Sequence, residues 1–344
     1  MTVSIEMQVG ERFRDCISTI DSHTAGEPTR LVINGIGPLP GTTMREKREY
    51  FIHNLDHVRK QLTREPRGHR DIFTAVVTKP VTPEASFGLI YMDPRRYPFL
   101  CGHATIGAVV TLIDIGFISL ADGEQFVIVD TPSGPMKTTV DVKNRKAVCV
   151  TLQMVPSFVY KTGERFSVPG YAQLEGETVC VGGFFIMINA SQINITLKPE
   201  NSRQLIDLGM TLIESADRQL SVAHPERPEV NSIDVVEFYN DIKDGSKHSR
   251  GIVIYGESHM DRSPCGTGTT AKMTLLHHLG YLKIGESYIN AGPLGTEFSG
   301  RLIEETKLGK QSAVVAEITG NAQITGYHQF VLDENDPFPE GYLL

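Results

Sequence analysis

No stretch of this 344-residue chain approaches the run of about 18 apolar residues that crosses a bilayer, which argues against a membrane span. The N-terminal MTVSIEMQVGERFRDC is polar and acidic, unlike a secretory signal. Positive charge is not in excess: the net charge is −8, which argues against a nucleic-acid partner held by phosphate contacts. A small acidic ligand gripped by local backbone amides stays open. Cysteines number five, an odd count, with no CxxC or Cys-His metal spacing. This argues against a disulfide framework and a metal centre, and it fits a reducing cytoplasm. Cys149 and Cys180 sit in the apolar runs AVCVTLQM and TVCVGGFF and read as small buried hydrophobes, and Cys16 reads as structural. Low-complexity segments and long charge runs are absent.

Hydrophobic residues make up 40% and charged residues 22%, ordinary for a globular protein, and the length suits two domains. An internal repeat supports the second domain. Cys101-Gly-His-Ala-Thr-Ile-Gly107 recurs as Cys265-Gly-Thr-Gly-Thr-Thr-Ala271, an offset of 164 residues. Downstream, AVVTLIDIGFI matches KMTLLHHLGYL, with Leu112 opposite Leu276 and Gly116 opposite Gly280. Upstream, GLIYMDP matches GIVIYGES, and Tyr91 and Tyr255 each precede their cysteine by ten residues. Each half therefore reads as strand, irregular loop, Cys-Gly, then a buried helix stopped by glycine. Two such helix N-termini would face each other across a pseudo-twofold axis.

Elsewhere strand chemistry dominates, as in TRLVING, DIFTAVVTK, EQFVIVDT, KTTVDV, AVCVTLQM, ETVCVGGFFIMI, AVVAEITG and HQFVLDE. The longer helical patterns are 44–63 and 200–220. The crossover between halves falls in the Pro- and Gly-punctuated stretch 155–170. The chemistry follows from the two helix starts. Free N–H groups and the helix dipole favour a thiolate there and offer a carboxylate site. One thiolate removing an α-proton, with a thiol delivering another on the opposite face, would invert a carbon.

DSHTAGEPTR (21–30), EPRGH (65–69), LCGHATIG (100–107) and DRSPCGTGTTAKM (261–273) resemble, in order, segments of the proline racemase family. That family includes proline racemase, 4-hydroxyproline 2-epimerase and trans-3-hydroxyproline dehydratase. The resemblance spans essentially the whole chain. It implies an α/β (α+β) fold of two pseudo-symmetric, diaminopimelate-epimerase-like domains with the active site between them. Residues 1–160 would carry Cys101, residues 161–324 Cys265, and 325–344 would pack back on the first domain. It implies a cytoplasmic homodimer that uses no metal, PLP or other cofactor and takes proline or hydroxyproline. Carried over by position, Cys101 and Cys265 become the acid/base pair. Gly102, His103, Gly266 and Thr267 supply carboxylate-binding amides, Asp261 holds the ring nitrogen, and Phe73 and Tyr255 line the ring pocket. Ala104, Asn189 and Tyr255 depart from the family pattern. Dehydratase relatives usually carry Thr where Cys265 stands, so Cys265 favours inversion over water loss.

Other readings of these residues are weaker. Gly266-Thr-Gly268-Thr-Thr-Ala271 formally matches a dinucleotide fingerprint, but ESHMDRSP separates it from the preceding strand. His23 and His69 fit no metal spacing and read as turn or supporting residues. Of His277 and His278, one imidazole reads as a surface group. Lys272, on the second helical turn after Cys265, reads as solvated or carbonyl-bound rather than as a Schiff-base lysine.

Overall fold

The computed structural model describes residues 16–240 and 246–344, so the N-terminal segment judged for a signal lies largely outside the described residues. The first half contains β1 (Cys16–Thr24), β2 (Glu27–Asn34), α1 (Met44–Thr63), β3 (Phe73–Thr78), β4 (Phe87–Met92), α2 (Gly102–Asp114), β5 (Gly123–Thr131), β6 (Gly134–Lys143) and β7 (Lys146–Gln153). The second contains β8 (Ser157–Val168), β9 (Tyr171–Val181), β10 (Gly183–Asn189), α3 (Ser202–Gln219), β11 (Ile233–Tyr239), β12 (His248–Tyr255), β13 (His259–Met260), α4 (Gly266–His278), β14 (Ser287–Ala291), β15 (Glu297–Leu308) and β16 (Gln311–Gly320). β17 (Ala322–Val331) then returns to the first half and pairs antiparallel with β1.

Strand pairing runs β17-β1-β2-β3-β4-β5-β6-β7 in one half. In the other it runs β8-β9-β10-β11-β12-β14-β15-β16 and closes through β16 onto β8. β16 also pairs with β7, which joins the two halves.

Each half wraps a central helix. In α2 every residue from His103 to Ile113 is buried, and in α4 every residue from Gly268 to Leu276. A helix with no solvent face must be enclosed, which is why these segments lack an amphipathic stripe. α2 and α4 are both 13 residues long and start at the glycine after the cysteine, so the repeat holds at the same offset. Gly116 (φ +79°) and Gly280 (φ +82°) stop them in the left-handed conformation that glycine adopts most easily. α1 and α3 bury only one stripe each, for example Met44, Phe51, Val58 and Leu62 on α1. Each such side chain contributes about 1.5–3 kcal/mol on burial.

Two expected features differ. The run ETVCVGGFFIMI is two strands, because Gly182 (φ +73°) folds β10 back antiparallel on β9. The expected crossover 155–170 is mostly strand β8, whose alternation of buried and exposed residues runs on past Gly163, with Pro156 and Pro169 falling just outside the strand.

Candidate active site

The hairpin Thr24-Ala25-Gly26-Glu27 carries the first functional group. Ala25 (φ +51°) and Gly26 (φ +105°) make the tight turn between β1 and β2, and the Gly26 amide donates to His23 Nδ1 at 3.2 Å. His23 is thus a turn residue, and His69 Nδ1 likewise accepts from the Asp71 amide at 3.3 Å. The hairpin tip docks across the molecule: Thr296 Oγ1 donates to the Ala25 carbonyl at 2.7 Å, and the Arg262 amide donates to Glu27 Oε2 at 2.7 Å.

Cys101 and Cys265 are the N-cap residues of α2 and α4 and belong to one apolar cluster with Tyr255. Cys101 Sγ lies 3.2 Å from His103 Nδ1. Cys265 Sγ lies 3.3 Å from Thr267 Oγ1 and accepts from the Gly268 amide at 3.4 Å. Cys265 sits at φ +59°, a strained value for a residue with a Cβ. Its amide donates to Ser263 Oγ (3.1 Å), and Ser263 in turn donates to Asp261, which holds the loop in place.

The expected lowering of the thiol pKa is corrected. Burial pushes both thiols up, and Asp261 adds to this at each, outweighing the amides of Ala104 and His103 at Cys101 and of Gly268 at Cys265. Asp261 is itself buried, which raises its carboxyl pKa, and the nearby Glu27 raises it further. Its Oδ1 accepts from the Ser263 amide (2.8 Å) and hydroxyl (2.7 Å). Such a carboxylate is set to gain from an arriving cation.

Glu27, fully buried, is already compensated. His259 Nε2 meets its Oε1 at 2.9 Å, His259 Nδ1 faces Asp71 at 3.3 Å, and Arg262 bonds Asp71 at 2.8 Å. Burial disfavours the His259 cation, but Asp71 and Glu27 outweigh it and push its pKa up to about 9. Sequence reasoning missed His259, Asp71 and Arg262. The only signal was the polar loop ESHMDRSP, because the partners lie far away in the chain.

Phe73 opens β3 with its ring 5.0 Å from His103, edge-on, and 6.2 Å from Tyr91. Tyr255 ends β12 with its ring 4.6 Å from that of His259. Phe73, Tyr255 and His259 line a cleft of about 330 Å³ whose rim carries Arg70, Arg95, Arg96 and Glu257. The Tyr255 hydroxyl is kept protonated by burial first, then by Glu27, Asp261 and both cysteines. Tyr255 lines the cleft and packs against the same apolar cluster as both cysteines. A larger hollow of about 550 Å³ lies at the C-terminal end of α4, among Ser157, Thr274 and His277, and contains none of these groups.

The remaining expected residues fall as follows. Gly102 and Gly266 open α2 and α4, with His103 and Thr267 next in their first turns. Ala104 is buried in α2 and offers an amide to Cys101, whereas Asn189 caps a short turn by accepting from the Ser191 amide (2.9 Å). His278 is exposed. Lys272 is corrected: it is fully buried and paired with Glu237 at 3.1 Å, not solvated. Among the described residues no group of three or more His, Cys, Asp or Glu side chains is placed to hold a metal ion.

Two strand-wrapped halves, each with a central helix whose first turn meets its counterpart, define the diaminopimelate-epimerase-like class. A solved structure agrees: a hydroxyproline epimerase from Agrobacterium vitis, with bound trans-4-hydroxy-L-proline, superposes with TM-score 0.86 at 27% identity, covering 97% of this chain and 96% of that one. In sequence, the family described as Proline racemase matches residues 19–343. A proline racemase of Clostridioides difficile is 40% identical over 97% of this chain and 99% of its own length. A 4-hydroxyproline 2-epimerase of Streptosporangium roseum is 35% identical over 97% and 100%. The chain belongs to the proline racemase family and is an enzyme of the isomerase class.

Proposed function

We propose that this enzyme inverts Cα of proline or 4-hydroxyproline by a two-base proton transfer between Cys101 and Cys265. The observation that carries the reading is the paired geometry: one cysteine at the start of each enclosed helix, both in one cluster behind the Phe73–Tyr255 cleft. The substrate carboxylate takes the amides of the two first turns, at Gly102, His103, Gly266 and Thr267. The ring ammonium takes Asp261, and its charge offsets the field that holds the thiols protonated. One thiolate breaks the Cα–H bond and keeps the proton. The electron pair remains on Cα, beside the carboxylate, and takes the proton of the opposite thiol. The product has the other configuration, and the cysteines have exchanged protonation states. Preorganised amides in a dry cleft supply the stabilisation that so weak a carbon acid needs. The same reading takes the working unit as a homodimer, by resemblance to the family, in a reducing cytoplasm, from the odd count of unpaired cysteines.

The test is proton NMR in D2O with L-proline and trans-4-hydroxy-L-proline in parallel, followed by chiral chromatography. Loss of the α-proton signal with appearance of the inverted product supports the reading, and the faster tube names the substrate. If neither exchanges and trans-3-hydroxy-L-proline instead yields a product that colours with o-aminobenzaldehyde, the enzyme is a dehydratase. If no substrate turns over while pyrrole-2-carboxylate raises Tm, the protein is an imino-acid binder.

A further inference from the structure

The two halves differ beneath their cysteines. Under α4, Lys272 and Glu237 are both fully buried and 3.1 Å apart. Lys272 Nζ donates to Asn290 Oδ1 at 2.7 Å, and Asn290 Nδ2 donates to the Pro264 carbonyl (3.0 Å) and Thr269 Oγ1 (2.9 Å). The network therefore ends on the residue before Cys265. Neither Glu237 oxygen has a well-aligned hydrogen-bond donor.

Among the described residues, the equivalent place in the first half has no such pair. Glu237 lies opposite Val253 in the β11–β12 ladder, and the repeat equivalent of Val253 is Leu89, which lies opposite Val77. Lys272 corresponds to Ala108, which is buried in α2. Val77 and Ala108 therefore fill with apolar groups the place that a charged pair fills under α4. A buried ion pair is often no more stabilising than an apolar one, so stability alone does not account for it.

The orientation of the pair is informative. A Cβ placed on Gly268 would lie 3.0 Å from Glu237 Oε2 and 3.3 Å from the Cβ of Cys265. Lys272 Nζ instead donates to Asn290, though Lys272 also interacts electrostatically with Cys265. Glu237 Oε2 therefore lies against the first turn of α4, and its charge raises the Cys265 thiol. Cys101 instead has the His103 imidazole at 3.2 Å, where Cys265 has the Thr267 hydroxyl.

We propose that the Glu237–Lys272 pair is a positioning device that breaks the pseudo-symmetry, holding Cys265 as the resting thiol and leaving Cys101 as the resting base. The proposal refines the two-cysteine reading and rests on it. Asp261 and Tyr255 also face Cys265, and Asp261 and Tyr288 also face Glu237, so these stay unchanged in the test.

The experiment is site-resolved alkylation of the full chain with iodoacetamide across pH, each cysteine read by mass spectrometry. Wild type is compared with Glu237→Gln and with the double variant Glu237→Val/Lys272→Ala, which carries the residues of the first half. The Cys265 midpoint is expected to lie above that of Cys101 in wild type. It is expected to fall by about one pH unit in Glu237→Gln, the scale of one nearby charge, and by less in the double variant, which removes the Lys272 cation as well, while that of Cys101 stays put. A purely structural role would change the plateau rate but not the midpoint. An unmoved Cys265 midpoint, a parallel shift at both cysteines, or failure of the apolar double variant to fold would each overturn the proposal. Exchange of the L-proline α-proton by the same wild-type preparation reports the isomerase reading separately.

Discussion

Replacing His259 with Gln tests the electrostatic clasp that holds the two halves together at the site. His259 is buried between Glu27 on the β1–β2 hairpin and Asp71 ahead of β3. Burial opposes its charge, yet the two carboxylates hold its pKa near 9, against 6.5 for an ordinary histidine. At about 1.4 kcal/mol per pH unit, that rise corresponds to roughly 3 kcal/mol of folding stability. Because the folded-state value is the raised one, this stability is complete below pH 6.5 and is lost as pH climbs through 9. His259→Gln should therefore cost about 3 kcal/mol in urea unfolding at pH 6 and much less at pH 10, where the wild-type imidazole is neutral. An equal cost at both pH values would show that His259 acts through packing, and the charge argument would fail.

Other perturbations follow from the same geometry. A Cβ on Gly107 would meet Ser22 Oγ, Thr29 Oγ1 and Thr24 Oγ1 at 3.2–3.4 Å. Gly107→Val should thus overpack α2 and cost about 1–3 kcal/mol by thermal unfolding, with an unchanged Tm showing that the strands give way. Iodoacetamide should label Cys101 and Cys265 slowly in the free enzyme, because burial keeps them as thiols, and pyrrole-2-carboxylate should block them. Cys16, exposed at the start of β1, should react equally with or without the ligand and serves as the control; protection of Cys16 would contradict the site.

Much of this was legible in the chain because duplication writes the same message twice. Cys-Gly at equal offsets, with a glycine stop after each, marks α2 and α4 although neither has an amphipathic stripe. The Glu27–His259–Asp71–Arg262 clasp was not legible, because its members come from three segments far apart in the chain that meet only when the halves dock. Lys272 was misread for a related reason. A lysine on a helix is normally solvated, and nothing local shows that Glu237 lies across from it on β11. The thiols were expected to be acidified from the helix dipole alone. Burial and Asp261, which oppose the dipole, are properties of the assembled cleft.

The most direct measurement of the two-base claim is early-time isotope incorporation. The enzyme is given protiated L-proline in D2O, and both enantiomers are separated and weighed by mass spectrometry before a tenth of the substrate has reacted. The account predicts D-proline carrying deuterium at Cα while the remaining L-proline is still protiated, since one cysteine removes the proton and the other delivers solvent deuterium. Protium retained in D-proline, or deuterium appearing in L-proline at the same rate, would mean that a single group serves both faces.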